Sequence, residues 1–183
     1  LPQMIGIELG EAIGRAGFAV DRIEIRGIGK MDRAKVYEVA LEQQSRAMPL
    51  VDLSAIRQRL LGFGWIADAR VSRRLPDTLV IDVVERKPAA IWQNRGKLSL
   101  IDTAGTIIAP VRLDAMPENL PVVVGPAANR QVASLAGLMS AAPSLKPMFA
   151  GASWIGDRRW DLRFQSGETL ALPEGDAEAR TAL

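Results

Sequence analysis

The 183 residues, 48% hydrophobic and 24% charged, suffice for a buried core and fit two small domains better than one. Lys and Arg outnumber Asp and Glu only by 23 to 21, so the surface is nearly balanced and its arginines, spread along the whole length, offer no basic stripe for a nucleic acid. With no cysteine and no histidine, thiol nucleophiles, Ser-His-Asp triads, imidazole bases and almost all zinc sites are excluded.

From about residue 3 to 16, Met4, Ile5, Ile7, Leu9, Ala12 and Ile13 recur at spacings that predict a short amphipathic lead-in helix, weakened by Gly6, Gly10 and Gly14. Val20, Ile23 and Ile25, interleaved with charged residues and closed by Gly27, predict a half-buried strand. The spacing of Ala34, Val36, Tyr37, Ala40 and Leu41 predicts a helix over 31–44. Asp52 is an N-cap for a second helix with Leu53, Ile56 and Leu60 on one face, stopped by Gly62 and Gly64.

After Trp65 the period falls to two. Ala69, Val71 and Arg73 alternate with Arg70, Ser72 and Arg74, a turn follows at Leu75-Pro76-Asp77, and the return strand sets Leu79, Ile81 and Val83 against Val80, Asp82 and Val84. The order is βααββ, two helices over a three-stranded sheet. Pro88 lacks a donor and marks a junction.

Beyond it, strands are predicted at 91–92, 98–101 and 106–108, the last two joined by the turn from Asp102 to Gly105. Val122 to Val124 follow, then a helix over 129–142, a three-strand meander at 152–155, 160–164 and 168–172, and a helix beginning near Pro173. The fold class is therefore α+β, a βααββ domain followed by a mostly antiparallel β domain with flanking helices.

No carboxylate set reads as catalytic. Asp77 belongs to a turn, Asp82 and Glu85 alternate outward beside Arg86, and the loop from Asp102 lacks the ligand series of a calcium site. No catalytic, cofactor-binding or metal-ligating residue is assigned. Arg73 and Arg74 are adjacent on alternating strand faces, so one points outward, either into solvent or toward a partner or anionic lipid. Arg158, Arg159 and Trp160 open a meander strand, with Trp160 either packed in the sheet or exposed for binding.

Taken in order, residues 16–20 leading into 23–27, then 52–57, 65–79, 81–92 and 100–105 resemble the FtsQ/DivIB family of bacterial division proteins, whose extracytoplasmic part is a POTRA domain followed by a β domain. The junction string Glu85-Arg86-Lys87-Pro88 favours this family over the tandem POTRA repeats of outer-membrane protein assembly, a chaperone-like module that is the alternative reading; a nucleic-acid binder is a further rival. The resemblance implies residues 1–17 as a lead-in after a membrane anchor, 18–87 as the POTRA domain and 88–183 as a C-terminally truncated β domain. It implies a non-enzymatic divisome scaffold without cofactor, held by one N-terminal span in the cell inner membrane with this part on the periplasmic side at the septum. The β domain then docks the FtsB–FtsL pair, and the POTRA domain serves recruitment involving FtsK. The family's arginine ahead of the meander tryptophan lies beside the FtsB dock and aligns nearer Asp157, one place from Arg158. The family's docking strand follows the helix that begins near Glu174, so this chain is expected to keep the platform and lack much of the binding edge.

Overall fold

The computed structural model describes residues 17–183 together with Ile7 and Ala12. The lead-in helix expected over 3–16 therefore lies outside the described residues, those two positions apart. The chain divides into two compact units, Leu1–Arg86 and Lys87–Leu183.

In the first unit, strand β1 (Arg22–Arg26) precedes helices α1 (Arg33–Leu41) and α2 (Leu53–Leu61) and strands β2 (Ile66–Arg74) and β3 (Thr78–Glu85). The sheet order is β1-β3-β2, with β3 parallel to β1 and antiparallel to β2. Its central place explains why β3 reads almost continuously apolar. Leu79, Ile81 and Val83 meet the core formed with Val36, Val39, Ala40, Ile56 and Leu60. Val80 faces the other side and is buried as well. On that side Arg74 of β2 pairs with Glu24 of β1, and the two side chains can meet only by crossing β3, so their stems cover Val80.

Both helices start as their caps dictate. Asp32 accepts from Ala34 N (2.9 Å) and Asp52 from Ala55 N (2.9 Å). Helix α1 is shorter than the expected 31–44. Its chain leaves in tight turns at Gln43 and Gln44, and Ser45 N then donates to Val20 O (2.9 Å), drawing the segment back beside residues 18–20. The buried stripe of α1 is Val36, Val39 and Ala40, while Tyr37 and Leu41 lie at its exposed rim.

The second unit holds β4 (Ala90–Asn94), β5 (Lys97–Ile101), β6 (Ile107–Pro110), β7 (Val122–Val124), α3 (Val132–Ala141), β8 (Phe149–Ile155), β9 (Arg159–Phe164), β10 (Thr169–Ala171) and α4 (Asp176–Ala182). One seven-stranded sheet runs β10-β9-β8-β7-β4-β5-β6. Its outer pairs are antiparallel, as expected, but β7 lies parallel to both β4 and β8. Residues 111–121 and helix α3 supply the crossovers that parallel neighbours require. Single-chain periodicity marks strands but carries no sign of their direction.

The helix expected over 129–142 begins as a 3-10 turn at Ala128–Gln131, and Pro143 opens a further 3-10 run to Met148. Helix α4 starts at Asp176, three residues after Pro173. Helices α3 and α4 cover one sheet face, burying Ile101, Val123, Leu135, Leu138, Trp160 and Leu162. The hairpin turn after β5 is fixed by Asp102, whose Oδ1 accepts from Ala104 N (3.0 Å) and Thr106 N (2.9 Å).

Candidate functional site

The arginine pair on β2 splits as strand geometry demands. Arg73 turns to the helix side, where Nε donates to Met48 O (2.9 Å) and Nη2 to Val51 O (2.7 Å), tying down the turn that precedes α2. Arg74 turns to the open side and pairs with Glu24, which also accepts from Arg26 Nε (2.8 Å). These hydrogen bonds, from Arg26 first and then Arg74, hold the Glu24 carboxyl below its ordinary range. Both guanidinium groups thus have bonds within the unit before any partner arrives.

At the junction the decisive group is Glu85. Its carboxylate accepts from the backbone N–H groups of Gly29 (3.0 Å), Lys30 (3.0 Å) and Met31 (2.8 Å), closing the loop after β1 onto the last residue of β3. Burial opposes its charge, but the N–H groups of Met31, Lys30 and Gly29 outweigh that and lower its pKa. Arg86 N donates to Trp65 O (2.7 Å), and the next ladder begins just past Pro88, where Ala89 N donates to Ile101 O (2.8 Å). Lys87 is exposed.

Glu85→Gln is expected to lower the stability of residues 18–86 by about 2 kcal/mol at neutral pH, the usual scale of a hydrogen bond to a charged group. Because the folded pKa lies below the unfolded one, this stabilisation is present above roughly pH 4.3 and fades as pH falls through the folded value. Urea midpoints of the two proteins should therefore differ at pH 7 and converge in acid.

In the second unit, β8 and β9 are joined by three residues, Gly156, Asp157 and Arg158, the first two with φ of 57° and 58°, left-handed geometry that reverses the chain tightly. Asp157 fixes it by accepting from Trp154 Nε1 (2.8 Å). The three candidate residues that follow diverge. Arg158 reaches Glu174 (3.3 Å), Arg159 Nε donates to Asp161 (3.1 Å) on the open sheet face, and Trp160 turns to the helix side. There Trp160 is 2% exposed, its ring centroid 5.1 Å from that of Trp154, so the packed reading is the one the structure shows. Arg158, in the turn, is exposed, and Arg159, the first residue of β9, is half-buried.

The sheet edge at β10 was not a residue-level expectation. Leu172 N donates to Trp160 O (2.9 Å) and Phe164 N to Glu168 O (3.0 Å). Since hydrogen-bonded pairs alternate along an antiparallel ladder, Leu170 also faces β9, and the N–H and C=O groups of Thr169 and Ala171 point outward. Among the described residues no strand pairs with that edge. The alternation was visible in the sequence, but its place at the end of the sheet was not. Likewise, nothing in Gly29 or Lys30 announced Glu85, although a glycine-rich turn after a strand does leave N–H groups in need of an acceptor.

Among the described residues no group of His, Cys, Asp or Glu is placed to hold a metal ion, and no helix is long and apolar enough to cross a membrane.

Residues 18–86 match the family description "POTRA domain, FtsQ-type", and residues 90–183 match "Cell division protein FtsQ/DivIB, C-terminal". The chain is 59% identical over 182 residues to the cell division protein FtsQ of Zymomonas mobilis, covering 100% of this chain and 57% of that protein. It is 44% identical over 183 residues to that of Novosphingobium aromaticivorans, covering 100% and 57%, and 35% identical over 167 residues to that of Caulobacter vibrioides, covering 90% and 54%. It thus spans a little over half the length of these relatives. A solved structure, the major extracytoplasmic domain of the trans isomer of the cell division protein DivIB from Geobacillus stearothermophilus, aligns with a TM-score of 0.34 at 16% identity over 52% of this chain and 83% of that one.

Proposed function

The chain belongs to the FtsQ/DivIB family of cell division proteins, and from that membership we propose that it is a non-enzymatic scaffold that recruits and links other division proteins at the septum. In this reading the unit over 18–86 serves recruitment involving FtsK, and the unit over 90–183 docks the FtsB–FtsL pair. The chain lies on the periplasmic side of the inner membrane, held there by one N-terminal span, and its role needs no cofactor and no nucleic acid.

The observation that supports docking in the second unit is the outer edge of β10, which no strand pairs among the described residues. Outward N–H and C=O groups at Thr169 and Ala171 can extend the sheet by one strand, with side chains supplying selectivity. Arg158, in the β8–β9 turn and paired among the described residues with the exposed Glu174, can exchange that pair for a partner carboxylate. Arg159 offers a similar exchange on the open face, and Arg73 and Arg74 are the contacts proposed for the first unit. Trp160 contributes by holding β8 and β9 together, not by direct contact.

The docking strand of a longer chain continues from this side of the sheet, after α4. Titrating a soluble FtsB–FtsL pair against residues 1–183 and against the full-length protein tests this: the full-length protein should bind more tightly, and equal affinities would overturn the assignment. The chaperone reading finds no support in the match over 90–183, which is to an FtsQ/DivIB C-terminal region.

A further inference from the structure

Helix α3 and the strands beneath it enclose an apolar cleft that none of these docking features uses. It measures about 230 Å³, is floored by Ala89 and Ala90, walled by Leu135, Met139 and Phe149, and opens beside Lys146. The small side chains of the two alanines leave the space. It is below the roughly 300–1,000 Å³ typical of small-molecule pockets and suits one large apolar side chain.

The cleft does not end at Lys146. A hollow of about 470 Å³ shares Pro121, Lys146 and Phe149 with it, and through Ala150 and Gln165 meets a third hollow, also about 470 Å³, on the open sheet face beside Arg163. Through these shared residues the three hollows adjoin one another round the N-terminal ends of β7 and β8. Their charged lining is Lys146, Arg163 and Glu118, two cations to one anion. Most exposed arginines in contact with a carboxylate here are spent on it, as at Arg57, Arg59 and Arg112. Lys146 and Arg163, by contrast, have neither ion pair nor side-chain hydrogen bond among the described residues. The side chains of Gln93, Ser153 and Gln165 along the groove are likewise without partners there.

An elongated groove with one apolar socket, unused hydrogen-bonding groups and unpaired cations fits a particular occupant. We propose that it binds an extended acidic segment of a partner protein, seating one large apolar side chain against Leu135, Met139 and Phe149 and placing carboxylates on Lys146 and Arg163. The β10 edge takes no part, so this site and the docking reading above stand or fall separately.

The test is an NMR titration of the chain with an acetylated five-residue peptide carrying a central leucine flanked by aspartates. A second peptide with lysines for the aspartates, and a third with glycine for the leucine, are the comparisons. The acidic leucine peptide should shift the amide signals of Ala89, Ala136 and Lys146 and bind about tenfold more tightly than the lysine peptide, as opposed rim charges steer and select partners. The glycine peptide should bind at least as weakly as the lysine one. Lys146→Glu should reverse the order of the two leucine peptides, and Ala136→Phe, at an exposed helix position, should block the socket without touching the core. Ala171→Pro should leave all these shifts unchanged. Equal affinity for the two leucine peptides, shifts confined elsewhere, or no shift at millimolar peptide would overturn the proposal. So would shifts of the same signals with protein concentration alone, which would put a second copy of the chain in the groove.

Discussion

On the proposed docking at the β10 edge, Ala171→Pro is expected to cut the affinity of residues 1–183 for FtsB–FtsL by roughly a hundredfold while leaving the second unit folded. The substitution deletes an N–H group that points away from β9, so the ladder into the sheet, including the bond from Leu172 N to Trp160 O (2.9 Å), keeps its donors. Proline is tolerated at such an edge position for that reason. A strand added outside β10 loses a donor and meets the ring. An acceptor left unpaired in a closed interface costs about 1–3 kcal/mol, and the steric misfit adds to it; 1.4 kcal/mol is tenfold in affinity. Leu170→Pro, one residue earlier, removes an inward donor and should instead weaken the sheet itself. Calorimetric titration with far-UV circular dichroism on both variants separates the two effects. Undiminished binding by a folded Ala171→Pro protein would remove the edge from the docking surface.

The largest stability loss from a single methyl group is expected at Gly27→Ala. Gly27 follows β1 with φ of 82°, and an added Cβ would sit 1.9 Å from Val83 O, deep inside contact distance. Val83 belongs to the central strand of the sheet and is 5% exposed, so its backbone cannot step aside without unseating Leu79 and Ile81. Left-handed strain alone costs about 1–2 kcal/mol, and the clash carries the total to about 4 kcal/mol or more, the range reserved for broken cores. Gly96 supplies the control. Its φ is 76° but nothing lies within 4 Å of an added Cβ, so Gly96→Ala should show the strain without the clash. Urea unfolding followed by exchange of the β3 amides for Gly27→Ala, and of the β5 amides for Gly96→Ala, would register the difference.

The contrast between these positions shows what a linear sequence makes legible. The first unit was readable nearly element by element, because the apolar spacing of its helices, the Asp52 cap and the turn between β2 and β3 are all local signals. Its strand order was not, since the parallel pairing of β1 with β3 joins residues more than fifty positions apart and has no local signature. The same holds in the second unit, where the meander from β8 to β10 was visible from its turns but the parallel joints at β7 were not.

For the candidate residues the limit was direction. Adjacency in sequence left Trp160 either packed or exposed beside Arg158 and Arg159; the strand turns Arg159 and Trp160 to opposite faces and buries the tryptophan. Arg73 and Arg74 part in the same way, one to the turn at Met48 and one to Glu24. The string from Glu85 to Pro88 was legible as a junction, but its physical work lies in three N–H groups on a loop over fifty residues upstream. A charge pattern shows which residues prefer water; it does not show which backbone groups a fold leaves unpaired.

Hydrogen–deuterium exchange of the full-length protein, alone and saturated with soluble FtsB–FtsL, tests the scaffold account most directly. The account predicts new protection on the β10 side of the second sheet, in β10 and in any strand that follows α4, with the β6 edge and residues 18–86 unchanged. Protection confined to β6 or to residues 18–86 would contradict it.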